Sequence, residues 1–203
     1  MGLPNHLVVF ARAPRLGRIK RRLGRDIGPV AAWAFYRRTA VELLRRLGRD
    51  PRWSCWLALT PDRAAARTGL CPAGWRPIGQ GRGDLGRRMA RPVRTLPPGP
   101  VVIVGTDVPG IQRRHIAEAF AALGSHDVVL GPATDGGYWL VGFRRTPKRL
   151  DPFRGVRFST RHALADTLAN LDGYSVRMLE RLDDVDDGEA YRRIRWGPPR
   201  GAP

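Results

Sequence analysis

Four consecutive apolar residues, Val101, Val102, Ile103 and Val104, run into Gly105-Thr106-Asp107 and stop at Pro109-Gly110. An apolar run without alternation suits a parallel strand covered on both faces. A parallel strand of this kind is usually covered by helices, so the segment points toward an α/β architecture, which the rest of the chain must bear out. The glycines and the proline end the strand sharply. Asp107 therefore stands at the carboxyl end of a buried strand, where open α/β sheets collect ligands and an acid can hold a divalent cation against a phosphate. The same acid could instead merely cap a helix beginning near Gln112.

The rest of the chain alternates in the same way. Apolar runs predict strands over residues 7–11 and 53–59, a short strand ending near 78, and strands over 127–130, 138–143 and 174–179. Helical periodicity covers 18–47, interrupted at 24–29, then 84–94, 111–123, 159–171 and 187–195. Thr60-Pro61-Asp62 reads as a further helix start, and Ser159 or Thr160 as the cap of the helix over 159–171. The alternation predicts one Rossmann-like α/β domain over residues 1–196, a mainly parallel sheet flanked by helices, with 197–203 as a frayed tail. No shift in composition divides the 203 residues into two domains.

Charge narrows the function less than it first suggests. The 36 basic against 18 acidic residues would fit an Arg-rich nucleic-acid-binding protein. However, the basic doublets are spread along the chain at Arg21-Arg22, Arg37-Arg38, Arg45-Arg46, Arg87-Arg88 and beyond, with no single stripe and no recognition motif. Nucleic acid is thus the minor reading, and a phosphate-bearing small substrate is compatible. Cys55 and Cys71 lack the spacing of a zinc site and are too few for a disulfide framework. Two free thiols, no apolar run long enough to span a membrane and no leader-like start predict a cytoplasmic protein.

Two further constellations carry chemistry. The loop after the first strand places Arg12, Arg15, Arg18, Lys20 and Arg22 beyond a strand end, and backbone N–H groups around Pro14 to Gly17 could cradle a diphosphate. The spacing matches neither a Walker loop nor a dinucleotide fingerprint, and an exposed basic helix start is an equal reading. Asp135 follows the buried strand over 127–130, with Gly136 and Gly137 permitting close backbone approach; a plain tight turn explains it too. Asp84 and the late acids Asp183, Asp184, Asp186 and Asp187 are further candidates, as is a simple helix cap at Asp84.

Five segments in order carry a resemblance: Phe10-Ala-Arg-Ala-Pro14 through Lys20 to Leu23, Gly83-Asp-Leu-Gly86 with Arg88-Met89, Gly105-Thr-Asp-Val-Pro-Gly110, Leu130-Gly-Pro-Ala-Thr-Asp-Gly-Gly-Tyr138, and Phe158-Ser159-Thr160. In these the chain resembles the DUF2064 family of glycosyltransferase-like bacterial proteins, within the nucleotide-diphospho-sugar transferase superfamily and its GT-A fold. The resemblance implies that Arg12 and Lys20 contact nucleotide phosphates, that Asp107 binds Mg²⁺ or Mn²⁺, and that Asp135 lies by the acceptor. Asp184-Val185-Asp186 is similar to a late acidic motif that supplies a second metal ligand in some relatives, which would make Asp186 that ligand. Here Asp187-Gly188 replaces their usual Thr-Pro, and Leu16 and Arg21 replace a Pro and a Thr of the basic loop.

The implied activity is a metal-dependent transfer from a nucleotide-activated donor: a nucleotide-sugar in a glycosyltransferase, or a nucleoside triphosphate in a nucleotidyltransferase, in each case to a small-molecule acceptor. Catalysis falls to Asp107 and Asp135, phosphate binding to Arg12, Pro14, Gly17, Lys20, Arg22 and Asp84, and the metal to Asp107 and Asp186. Both reactions need the same parts, so the sequence does not separate them.

Overall fold

A computed structural model describes residues 2–64, 69–145 and 150–195. The tail read over 197–203 lies outside the described residues, as does the stretch just beyond Ala64. Seven strands form one sheet: β1 (Asn5–Arg12), β2 (Trp53–Thr60), β3 (Arg76–Gly79), β4 (Val101–Gly105), β5 (Val128–Pro132), β6 (Tyr138–Phe143) and β7 (Val176–Met178). Their order is β3-β2-β1-β4-β6-β5-β7. Every neighbouring pair is parallel except those of β6, which runs back between β4 and β5. The sheet is therefore mainly parallel, and β4 and β5 point the same way.

The apolar runs explain the layering. Leu7 and Val9 of β1, with Val102 and Val104 of β4, turn to one face, where Leu43, Leu44 and Leu47 of α2 (Pro29–Leu47) and Ile116 and Ala119 of α4 (Arg113–Ala122) cover them. Val8, Val101 and Ile103 turn to the other, against Met89 of α3 (Leu85–Thr95) and Phe153 and Leu171. Both faces are buried, as non-alternating strands require. The packing also fixes α1 (Arg21–Ile27) at the rim between α2 and α6 (Gly188–Arg195). Both cysteines are free, and no described helix is long and apolar enough to cross a membrane.

Two local expectations change. The helix expected over 159–171 spans only Ala163–Ala169. Ser159 sits at a φ of 60°, outside the helical region, and the exposed Thr160 hydroxyl folds back onto the local backbone, donating to the Arg157 carbonyl while accepting the His162 N–H. Neither residue caps the helix; its N-cap is His162. The helix start at Thr60-Pro61-Asp62 yields a single 3₁₀ turn, Asp62–Ala64.

Candidate functional site

The carboxyl ends of β1 and β4 and the β5–β6 turn open onto one cavity of about 810 Å³, within the range of small-ligand sites. Its lining carries cations, including Arg12, Arg18, Arg22 and Arg88, together with the acids Asp107, Asp135, Asp184 and Asp186.

Each side chain is held by a definable local cause. Arg12 ends β1, and Tyr36 fixes it there. The Tyr36 hydroxyl accepts the Arg12 N–H at 2.8 Å and donates to the Arg12 carbonyl at 2.9 Å, while the Thr106 hydroxyl approaches it at 3.4 Å. Tyr36 is only 4% exposed, and burial pushes its phenol above the ordinary range. Arg88 projects from the first turn of α3 and is oriented by Gln80. The Gln80 amide donates to the carbonyls of Ala11 and Ala58 at 3.1 and 2.9 Å, and its oxygen accepts from Arg88 at 3.1 Å. Burial, then the nearby Arg12 charge, holds the Arg88 guanidinium below its usual range. Two guanidiniums that repel one another across a cavity favour an anion between them.

Asp107 follows β4, and the helix near Gln112 is capped by Gln112 and His115 rather than by Asp107. The Val185 N–H donates to the Asp107 carbonyl at 3.0 Å, which lays the late acidic segment along the end of β4. Lys20 then stands between Asp107 and Asp186, with Nζ 2.6 and 2.7 Å from their carboxylates. Burial lowers the Lys20 pKa, but the two carboxylates outweigh it and leave it raised. Asp184 is half-buried, and its carboxyl is pushed up to about 6 by burial and then by Asp135 and Asp186. Asp135 lies exposed in the β5–β6 turn and accepts the Gly137 N–H at 2.8 Å.

The expected residues thus divide. Arg12, Lys20, Arg22, Asp107, Asp135 and Asp186 share the cavity. Pro14, Gly17 and Asp84 lie outside its lining. Within the stretch from Pro14 to Gly17 the Arg15 N–H donates to the Ala13 carbonyl, and the following Arg18 N–H to the Arg15 carbonyl. Asp84 caps α3 through the Arg87 N–H at 2.8 Å. Tyr36, Gln80 and Thr106 are site residues the sequence reading missed. Tyr36 left a signal: it falls on the buried stripe of α2 with Ala32, Ala40 and Leu43, and a phenol on such a stripe needs a partner. Among the described residues, no three His, Cys, Asp or Glu side chains form a metal cluster.

Residues 43–160 match the profile of DUF2064, described as an uncharacterized protein conserved in bacteria. The chain belongs to this family. No curated protein matches the DUF2064 chain, whereas solved structures do. A Desulfovibrio desulfuricans G20 protein provisionally described as a nucleotide-diphospho-sugar transferase is 25% identical, with a TM-score of 0.85 over 96% of this chain and 89% of that one. Rv0371c of Mycobacterium tuberculosis H37Rv, in complex with manganese, is 18% identical, with a TM-score of 0.54 over 95% and 98% of the two chains. The CMP:2-keto-3-deoxy-manno-octonic acid synthetase complexed with CTP is 12% identical, with a TM-score of 0.59 over 95% and 97%. This DUF2064 member has the fold of nucleotide-using transferases.

Proposed function

We propose that this protein is a divalent-cation-dependent transferase that takes a nucleotide-sugar as donor and passes the sugar to a small-molecule acceptor. The observation that carries this reading is the meeting, in one cavity at the carboxyl edge of the sheet, of Asp107 and Asp186 converging on a single cation with the Arg12 and Arg88 guanidiniums, whose charges repel one another.

The donor set fits Mg²⁺ or Mn²⁺. Two carboxylates already close around one cation, and such ions commonly take one or two protein carboxylates, leaving the other positions to substrate phosphates and water. When bound, the ion neutralises charge on the departing diphosphate. Arg12 and Arg88 face the same cavity and would grip phosphate oxygens, with Arg12 fixed through Tyr36 and Arg88 through Gln80. Asp135 would accept the acceptor hydroxyl's proton as its oxygen bonds to the sugar carbon and the carbon–phosphate-oxygen bond breaks.

Thermal shift with a panel of nucleotide-sugars and triphosphates, with and without Mn²⁺, tests this, because a ligand that binds the native state raises the midpoint. The expected result is a Mn²⁺-dependent shift with one nucleotide-sugar that disappears in Asp107→Ala. An equal shift in that variant would overturn the assignment. Likeness in fold to the CTP-bound synthetase favours a second reading, nucleotidyl transfer, in which a substrate phosphate attacks the α-phosphorus of a triphosphate. Release of pyrophosphate rather than a nucleoside diphosphate would select it.

A further inference from the structure

Lys20 has a backbone that lysine seldom adopts. At φ 46° and ψ 50° it lies in the left-handed region, directly before α1, and its side chain caps nothing. That conformation sends the side chain inward instead of along the exposed basic loop. Its side chain is 6% exposed, whereas those of Asp107 and Asp186 are 52% and 46% exposed. The cation is therefore buried beneath two acids that face the cavity. The frame around it is tied from both sides, by the Val185 N–H on the Asp107 carbonyl and by the Gly188 N–H on Asp26 of α1 at 2.7 Å.

We propose that Lys20 is an exchangeable counter-ion: it holds the Asp107–Asp186 pair in the free protein, keeps a divalent ion out, and moves to the donor's diphosphate when ion and donor enter together. This rests on the acid pair being the ion site proposed above. The argument is one of charge. Two carboxylates and one ammonium sum to about −1; adding a divalent ion with Lys20 still in place gives about +1, with two cations in contact in a partly buried site. A diphosphate supplies the anion that draws Lys20 away, and once it has left, the carboxylates face the ion alone. Ion and diphosphate then raise one another's affinity, and the coupling is equal in both directions.

The test is binding, measured without turnover. Mn²⁺ is titrated against wild type and Lys20→Met in the absence of nucleotide, by electron paramagnetic resonance of the free ion. Loss of the ammonium should tighten Mn²⁺ binding on the order of tenfold or more. In thermal shift, Mn²⁺ and inorganic pyrophosphate together should exceed the sum of their separate effects in wild type, and the excess should shrink in the variant to what direct coordination of the ion by phosphate supplies. Mn²⁺ binding that is no tighter in Lys20→Met, or pyrophosphate coupling that is undiminished there, overturns the exchange. Lys20→Gln, which keeps a hydrogen bond to the acids without the charge, serves if the Met variant does not fold. Asp107→Asn separates the two layers. If wild-type Mn²⁺ binding depends on Asp107 but Lys20 does not oppose it, only the exchange falls; if Mn²⁺ binding is indifferent to Asp107, the ion site falls with it.

Discussion

Tyr36→Phe removes one oxygen atom and leaves the packing of α2 unchanged, so its effect isolates the hydroxyl that fastens the end of β1. That hydroxyl serves both backbone groups of Arg12, at 2.8 and 2.9 Å, from a side chain that is 4% exposed. A buried backbone group left without a partner costs about 1–3 kcal/mol. Because Tyr36 borders the cavity, water can reach part of the gap, and the sum for the two groups is about 2–4 kcal/mol. For a chain of this size each kcal/mol moves the thermal midpoint by about 2–4 °C, so the drop should be roughly 4–16 °C. Urea unfolding should show a lower midpoint with an unchanged slope. Nucleotide binding should weaken too, since Arg12 is no longer held. A loss below about 0.5 kcal/mol, the range of an ordinary surface substitution, would refute the view that Tyr36 carries this strand end.

Asp184, raised to about 6 in the fold, contributes stability below its unfolded pKa near 4 and loses it as pH rises through 6. Asp184→Asn should therefore flatten the pH dependence and gain on wild type by about 1 kcal/mol at pH 8, after allowance for solvent screening; urea titrations at pH 5 and 8 check this, and equal profiles would count against it. Gly136 has a φ of 84°, and a Cβ there would land on the Arg161 backbone. Gly136→Ala should cost about 1–2 kcal/mol for the left-handed conformation alone, and more for the contact; a urea midpoint matching wild type would show that the β5–β6 turn adjusts freely.

Local signals were legible in the sequence where one segment determines its own structure. The run from Val101 to Val104 gave a strand buried on both faces, parallel to β1 though antiparallel to β6, with Asp107 at its carboxyl end, and the turn after β5 delivered Asp135 to the same edge. The bland reading of Asp84 as a cap also held. What was not legible depends on contacts between distant parts of the chain. Lys20 and Asp186 are separated by 166 positions, and nothing in the basic loop states that its one lysine turns inward while the neighbouring arginines stay out. Gln80 is likewise defined only once β1 and β2 lie side by side and leave the Ala11 and Ala58 carbonyls pointing at it. The start of α5 (Ala163–Ala169) was missed because the Ser159 backbone and the Thr160 hydroxyl bonds favour a turn over a cap.

The returning strand β6 also makes the sheet a ruler. It inserts one strand between β4 and β5, and two strand spacings of about 4.8 Å set the ends that lead to Asp107 and to the Asp135 turn about 10 Å apart. The segment that carries Asp184 and Asp186 spans that gap: the Leu182 N–H donates to the Pro132 carbonyl at the end of β5, and the Val185 N–H to the Asp107 carbonyl beyond β4. A change in the length of the β5–β6 turn would therefore be felt at the acids on that segment as well as at Asp135.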